Sequence, residues 1–124
     1  MKAAILILSD PNQGSDEAVG RLFNALAVAY DFKQKGDEVT VMFNGTGARW
    51  ISVLNDPEHP VFELFQAVKD SISGVSRGCA DVFGATEDVE NSEFDFLTEN
   101  QVPGTGGLPS VSQLTSEGYT VLTF

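Results

Sequence analysis

Residues Ala3–Leu8 read AAILIL, six apolar side chains in succession with no polar residue on either parity. A strand with one wet face alternates between apolar and polar. A strand without alternation is buried on both faces, as in a parallel sheet covered by helices. Glu38–Phe43, EVTVMF, is a second strand of this kind. The chain therefore needs helices to cover such a sheet, and the segment between these runs supplies one. Ser15 is the expected N-cap, with Asp16 and Glu17 favourable beside the positive helix end. Val19, Leu22, Phe23, Leu26 and Tyr30 recur at spacings of three and four, which predicts a helix over about Asp16–Lys35. Lys33 and Lys35 suit its last turn and Gly36 the residue beyond it.

The rest of the chain continues the alternation. Arg49–Leu54 reads as a short helix, and Pro60 opens another, with Val61, Leu64, Phe65, Val68 and Ile72 as its stripe and Gly74 as its stop. Val75-Ser76-Arg77 is expected as a third strand, and Ala80–Gly84 as the first turn of a further helix. Thr86–Asn100 is acidic, with Phe94, Phe96 and Leu97 as its buried part. Val102–Leu108, VPGTGGL, reads as a loop. Ser110 caps a helix over about Val111–Glu117, and Tyr119–Phe124 is the last strand. The fold expected is α/β: a three-layer α/β/α sandwich with a mostly parallel sheet of about five strands. At 124 residues the chain is expected to be one domain, 1–124, large enough to bury roughly two-thirds of its unfolded surface.

Acidic residues number 18 against 7 basic ones, a net charge of −11. Affinity for phosphate backbones and anionic lipid comes from Lys and Arg, so neither nucleic acid nor a membrane surface is an expected partner. The short run after Lys2 is broken by Ser9-Asp10-Pro11-Asn12, unlike a signal peptide, and no stretch approaches the roughly 20 apolar residues of a span. A cytoplasmic location is the resulting expectation. Cys79 is the lone cysteine and His59 the lone histidine, so neither an internal disulfide nor a zinc site is expected. Gly104-Thr105-Gly106-Gly107 lacks the lysine of a P-loop and the spacing of a dinucleotide fingerprint, so no cofactor is called for.

Ligands of open α/β sheets bind beyond the carboxyl ends of the strands. The loops expected there are Ser9–Ser15, Asn44–Arg49, Gly78–Ala80 and Val102–Leu108. Cys79 is the candidate catalytic residue: it follows a strand at an expected helix start, where backbone amides favour a thiolate. The competing reading is a buried, inert thiol, common for cysteine. Asn44, Gly45, Thr46, Gly47, Arg77, Gly78, Gly104 and Thr105 are the candidate ligand-binding residues. Alternation can point Arg77 away from the thiol. His59, between Glu58 and Pro60, reads as a turn or helix-start residue rather than a base. Asp10 and Asp16 are explained by turn formation and capping as well as by binding. Phe43, Trp50, Phe62, Phe83, Phe94 and Phe96 are more large apolar groups near loops than one core readily hides, so some are expected between subunits.

The segments KAAILILSDP, GSDEAVGRLFNALAVAYDFKQKGDEV, VMFNGTGARW, GVSRGCADVFGA and VPGTGGLPSVSQLTSEGYTVLTF together resemble the DsrE/DsrF-like family of small sulfur-relay proteins along the whole chain. The resemblance implies a compact α/β subunit assembling as a homotrimer or homohexamer. It also implies a cysteine after the third strand that carries sulfur as a persulfide between donor and acceptor proteins. That position maps onto Cys79 alone, without a second cysteine nearby. Two functions follow as expectations: a sulfur carrier acting through Cys79, or a non-catalytic oligomeric module binding a small ligand or a protein at the same loops.

Overall fold

The computed structural model describes all residues, 1–124. Five strands form one all-parallel sheet: β1 (Lys2–Ile7), β2 (Glu38–Phe43), β3 (Ile72–Ser76), β4 (Phe96–Leu97) and β5 (Thr120–Thr123). Their order is β4-β3-β2-β1-β5. The chain thus steps outward from β1 to β4, then returns across the sheet to lay β5 on the other side of β1. β1 pairs along its whole length with β2 (Lys2 opposite Glu38 through Ile7 opposite Phe43), and Ala3–Leu6 pair with β5. Five of its six residues are buried, as the uninterrupted apolar run requires.

Six helices cover the sheet: α1 (Asp16–Gln34), α2 (Trp50–Val53), α3 (Phe62–Val68), α4 (Arg77–Val82), α5 (Thr86–Glu90) and α6 (Val111–Ser116). The two covering layers are unequal. Alternation sends Ile5, Ile7, Val41, Phe43 and Val75 to one face. There they meet Leu22, Ala25 and Leu26 of α1, Phe65 and Val68 of α3, and buried residues of α2, α4 and α5, in a cluster of 20. On the opposite face Leu6, Met42 and Leu97 form a cluster of 3, covered by Leu114 of α6 and by Val121.

The α1 signals act as read. Ser15 Oγ accepts from the Ala18 amide at 3.3 Å, Lys33 sits in the last turn, and Gly36 is left-handed at φ 76°. Elsewhere the structure moves boundaries. Ile72 is not in the helix after Pro60; α3 ends at Val68, Lys69–Ser71 make a 3-10 turn, and Ile72 opens β3 while still packing on the core. That helix also starts two residues later than Pro60, at Phe62. Arg77 leaves β3 and begins α4, so Cys79 lies within the helix and not in a loop before it. The acidic segment holds a helix, α5, and a strand, β4, that its composition hides. Phe43 and Trp50 are fully buried within the single chain, and Phe94 and Phe96 pack against the same core, so these four do not need a second subunit to cover them.

The amino edge of the sheet is tied by charge. Tyr119 donates its hydroxyl to Glu38 Oε2 at 2.6 Å, and Lys2 Nζ lies 3.6 Å from the same carboxylate and 5.1 Å from the Tyr119 ring centroid. The Tyr119 hydrogen bond, then Lys2, hold the Glu38 carboxyl below its ordinary 4.5, and the same bond raises the Tyr119 phenol above 10.0. A carboxyl lowered in the fold contributes stability above its ordinary value and loses it as pH falls. A phenol raised in the fold contributes up to its ordinary value and loses it as pH rises. Melting temperature against pH is therefore expected to fall off below 4.5 and above 10.0 in part through this pair, and Tyr119→Phe should flatten both shoulders. Phe65→Ala, which empties a fully buried site, should cost about 3–5 kcal/mol in denaturant titration.

Candidate functional site

The carboxyl edge of the sheet is assembled from the ends of β1, β2 and β3. Ser76, fully buried, caps α4: its Oγ accepts from the Cys79 amide at 3.3 Å. The Gly78 amide is also engaged, donating to the Gly107 carbonyl at 2.7 Å. Cys79 itself is a free, partly exposed thiol belonging to neither hydrophobic cluster. Serine three residues before a cysteine has the cap-to-first-turn spacing, a signal present in the sequence but not read there.

Arg77 and Cys79 do not work side by side. Residues two apart on a helix face opposite ways. The Arg77 guanidinium lies 4.4 Å from the Phe96 ring centroid on β4, and its Nε donates to Asp81 Oδ2 at 3.3 Å. Asp81 in turn takes the Thr86 hydroxyl at 2.5 Å; that bond first and Arg77 second hold its carboxyl below the usual carboxylate range. Arg77 thus occupies the β4 side of α4, and Cys79 faces the β2 side. One turn along the Cys79 stripe, the Phe83 carbonyl accepts from Arg49 Nε at 3.0 Å, and the Phe83 ring sits beneath the same guanidinium. The Cys79 face of α4 therefore meets the Asn44–Arg49 turn.

That turn is fastened to the end of β1. The Asn44 amide donates to Ile7 O at 2.9 Å, Thr46 Oγ1 donates to Leu8 O at 3.0 Å, and Arg49 Nη1 reaches Asp10 Oδ2 at 3.0 Å. Trp50 Nε1 donates to Ser9 O at 2.8 Å, so Trp50 is a buried anchor and not an exposed contact. Gly47 is buried, and a Cβ there would fall on the Ile7 carbonyl. Gly45 has φ 56° and lies beside Leu8. Asn44 is buried, yet its Oδ1 has no hydrogen-bond partner.

The Gly104 and Thr105 loop lies on the Arg77 side. Thr105 Oγ1 donates to Val102 O at 2.7 Å and accepts from the Gly107 amide at 3.1 Å, which closes the loop on itself. A Cβ on Gly78 would come 2.7 Å from Leu108 Cδ1, and one on Gly106 would come 2.9 Å from Arg77 Cγ. The loop thus braces the start of α4. The edge therefore sets the Gly45–Arg49 turn against α4, where Arg49 meets Phe83, and Gly104 and Thr105 on the Arg77 side.

His59 accepts the Val61 amide on Nδ1 at 3.1 Å and stands edge-on to Trp50, a turn residue as its neighbours in sequence suggest. Asp10 Oδ1 caps Asn12 at 2.9 Å. No three His, Cys, Asp or Glu side chains converge to hold a metal ion, and no helix is long and apolar enough to cross a membrane. A separate cleft of about 390 Å³ opens between the ends of β1 and β5, lined by Ser9, Asp10, Gln13, Arg21 and Thr46 among others. It lies where the strand order reverses, the crevice in which open α/β sheets bind ligands.

Gly47→Ala forces backbone apart, whereas Gly78→Ala meets the movable end of a leucine. The first is expected to destabilise by about 1–3 kcal/mol or more and the second by less, as read from chemical denaturation midpoints.

Comparison with known proteins places this geometry in a family. The family model described as DsrE/DsrF-like matches residues 1–124. An uncharacterized protein of Methanocaldococcus jannaschii, MJ0733, is 31% identical over 90 residues, covering 73% of this chain and 73% of that protein. No solved structure matches the chain. A whole-length family match, on an all-parallel sheet whose third strand leads into the cysteine helix, means that the chain belongs to the DsrE/DsrF-like family.

Proposed function

We propose that this protein is a sulfur carrier that holds sulfane sulfur as a persulfide on Cys79. The observation that carries the reading is a free, partly exposed thiol at the start of the helix after β3, in a chain of a family associated with sulfur relay. The chemistry is thiol–disulfide-type exchange. The Cys79 thiolate attacks the outer sulfur of a donor persulfide, the donor's S–S bond breaks, and the donor leaves as a thiolate. Attack by an acceptor thiolate on the outer sulfur of Cys79 returns the electron pair to Cys79 and passes the sulfur on. No oxidant or reductant is consumed.

The charge distribution bears on the partners. All seven Lys and Arg side chains are already ion-paired within the chain, and Arg77 is turned to the far side of α4. Positive charge beside the Cys79 thiolate would thus come from a sulfur donor or acceptor protein, or from another copy in a homotrimer or homohexamer. A cytoplasmic setting, which keeps thiols reduced, suits this chemistry.

The second reading, a non-catalytic ligand-binding module, is favoured by the cleft between β1 and β5, whose lining does not include Cys79. Intact-mass spectrometry after exposure to a low-molecular-weight persulfide separates the two. Wild type should gain one sulfur atom and Cys79→Ser none. No adduct on wild type, or the same adduct on Cys79→Ser, overturns the carrier reading and leaves the binding module.

A further inference from the structure

The two edges of the sheet are finished differently. β4, at one edge, has only two residues and offers almost no ladder to a further strand. β5, at the other edge, pairs with β1 alone. The Phe124 amide donates to Leu6 O at 3.0 Å, and the Leu8 amide donates to Phe124 O at 2.7 Å. In a parallel ladder the inward and outward residues alternate, so Thr120, Leu122 and Phe124 turn their backbone groups to β1. The N–H and C=O of Val121 and Thr123 therefore face the open edge. Sheet edges are ordinarily blunted by a lysine, a proline, a bulge or a covering element. Thr120–Phe124, TVLTF, has no lysine and no proline, and its register with β1 is unbroken. Thr120 and Thr123 are exposed, and Val121 and Leu122 are only half-buried. Leu122 and Phe124 lie against the large core on one face, and Val121 lies against the small cluster on the other. One added strand would extend the apolar cover on both faces.

We propose that β5 pairs antiparallel with β5 of a second copy of this chain, about a two-fold axis at Leu122. The inference does not depend on the carrier reading. Unpaired amides and carbonyls at strand spacing are met by another extended strand. Symmetry makes this chain's own strand a fit, because Val121 and Thr123 flank Leu122 equally. With Leu122 opposite Leu122 of the second copy, Val121 of each copy exchanges both backbone bonds with Thr123 of the other. No outward group of the strand is left over. The two Leu122 side chains then meet at a non-hydrogen-bonded pair, the closer of the two spacings. Charge selects the same place. Each copy carries −11, so two copies repel over much of their surface, but Gly118–Phe124 has no charged side chain. The antiparallel direction also sets unlike ends together. Arg21, which lines the cleft with Thr123 and Phe124, lies toward the end of the second copy's strand that Glu117 precedes.

The test takes the full chain in reductant, so that no Cys79 disulfide contributes, from micromolar to millimolar concentration. Sedimentation velocity should show the 13.3 kDa monomer giving way to dimer-containing species. Amide exchange followed by NMR should slow about tenfold at Val121 and Thr123 over the same range, while Thr120, Leu122 and Phe124, already bonded to β1, stay unchanged. Thr123→Pro removes an outward N–H and no bond to β1, the setting in which a strand tolerates proline. It should remain monomeric throughout and keep the melting temperature of dilute wild type. Thr123→Lys serves if the proline variant does not fold. It should weaken self-association about tenfold although it lowers the net negative charge, the opposite of what general repulsion dictates. Wild type that stays monomeric overturns the self-pairing and leaves the edge to a strand of another protein. An assembly that survives these substitutions, or protection at amides other than Val121 and Thr123, places the contact elsewhere and overturns it as well.

Discussion

Everything in this chain hangs on the pairing of β1 with strands on both sides. Lys2–Ile7 is the central strand of a parallel sheet, hydrogen-bonded to β2 along its length and to β5 along most of it. Beyond the exposed Lys2, a strand in that position has no free edge and no wet face, so the side chains of Ala3–Ile7 must all be apolar. The same burial decides what happens where the strand ends. The carbonyls of Ile7 and Leu8 accept from Asn44 and Thr46, and Gly47 is pressed onto the Ile7 carbonyl. The turn opposite Cys79 is therefore shaped by the end of β1, two strands away from the cysteine.

The two sides of the sheet do different work. A thick layer of α1 to α5 on one face supplies nearly all the hydrophobic burial, while the other face has a small cluster under a single short helix. Burial scales with apolar area removed from water, so stability resides in the thick layer. The carboxyl edge lies across both layers. α4 is rooted in the thick one through Ala80, and the loop before α6 reaches over from the thin one to hold Gly78 and Arg77.

What could be read from the residues follows from how local the cause was. β1 and α1 were legible because their signals are contained within them: an unbroken apolar run, a serine cap, a stripe at spacings of three and four. β4 was not, because Phe96-Leu97 becomes a strand only by pairing with Val75 and Ser76, inside an otherwise acidic segment. The Lys69–Ser71 turn that separates α3 from β3 was hidden because Ile72 continues the helical spacing while belonging to the next strand. At the site, Cys79, Arg77 and the Asn44–Gly47 turn could be named from strand ends and glycines. That Arg77 can point away from the thiol was readable from alternation, but its place beside β4 was not, since that depends on Phe96 drawing it there. Nor could the unmet carbonyl oxygen of Asn44, because burial of a loop residue is decided by neighbours distant in the chain.

The loop from Asn100 to Leu108 is closed at its neck by two reciprocal backbone hydrogen bonds, 2.7 and 2.9 Å, and by Thr105 within. Such a lasso transmits little from its tip to its base. Pro103, Gly104 and Thr105 are exposed there, whereas Gly107 at the neck is buried and carries the bond to Gly78. Changes at Pro103 and Gly104 should therefore disturb the fold less than changes at the neck, where the bond from Gly78 to the Gly107 carbonyl holds the start of the cysteine helix.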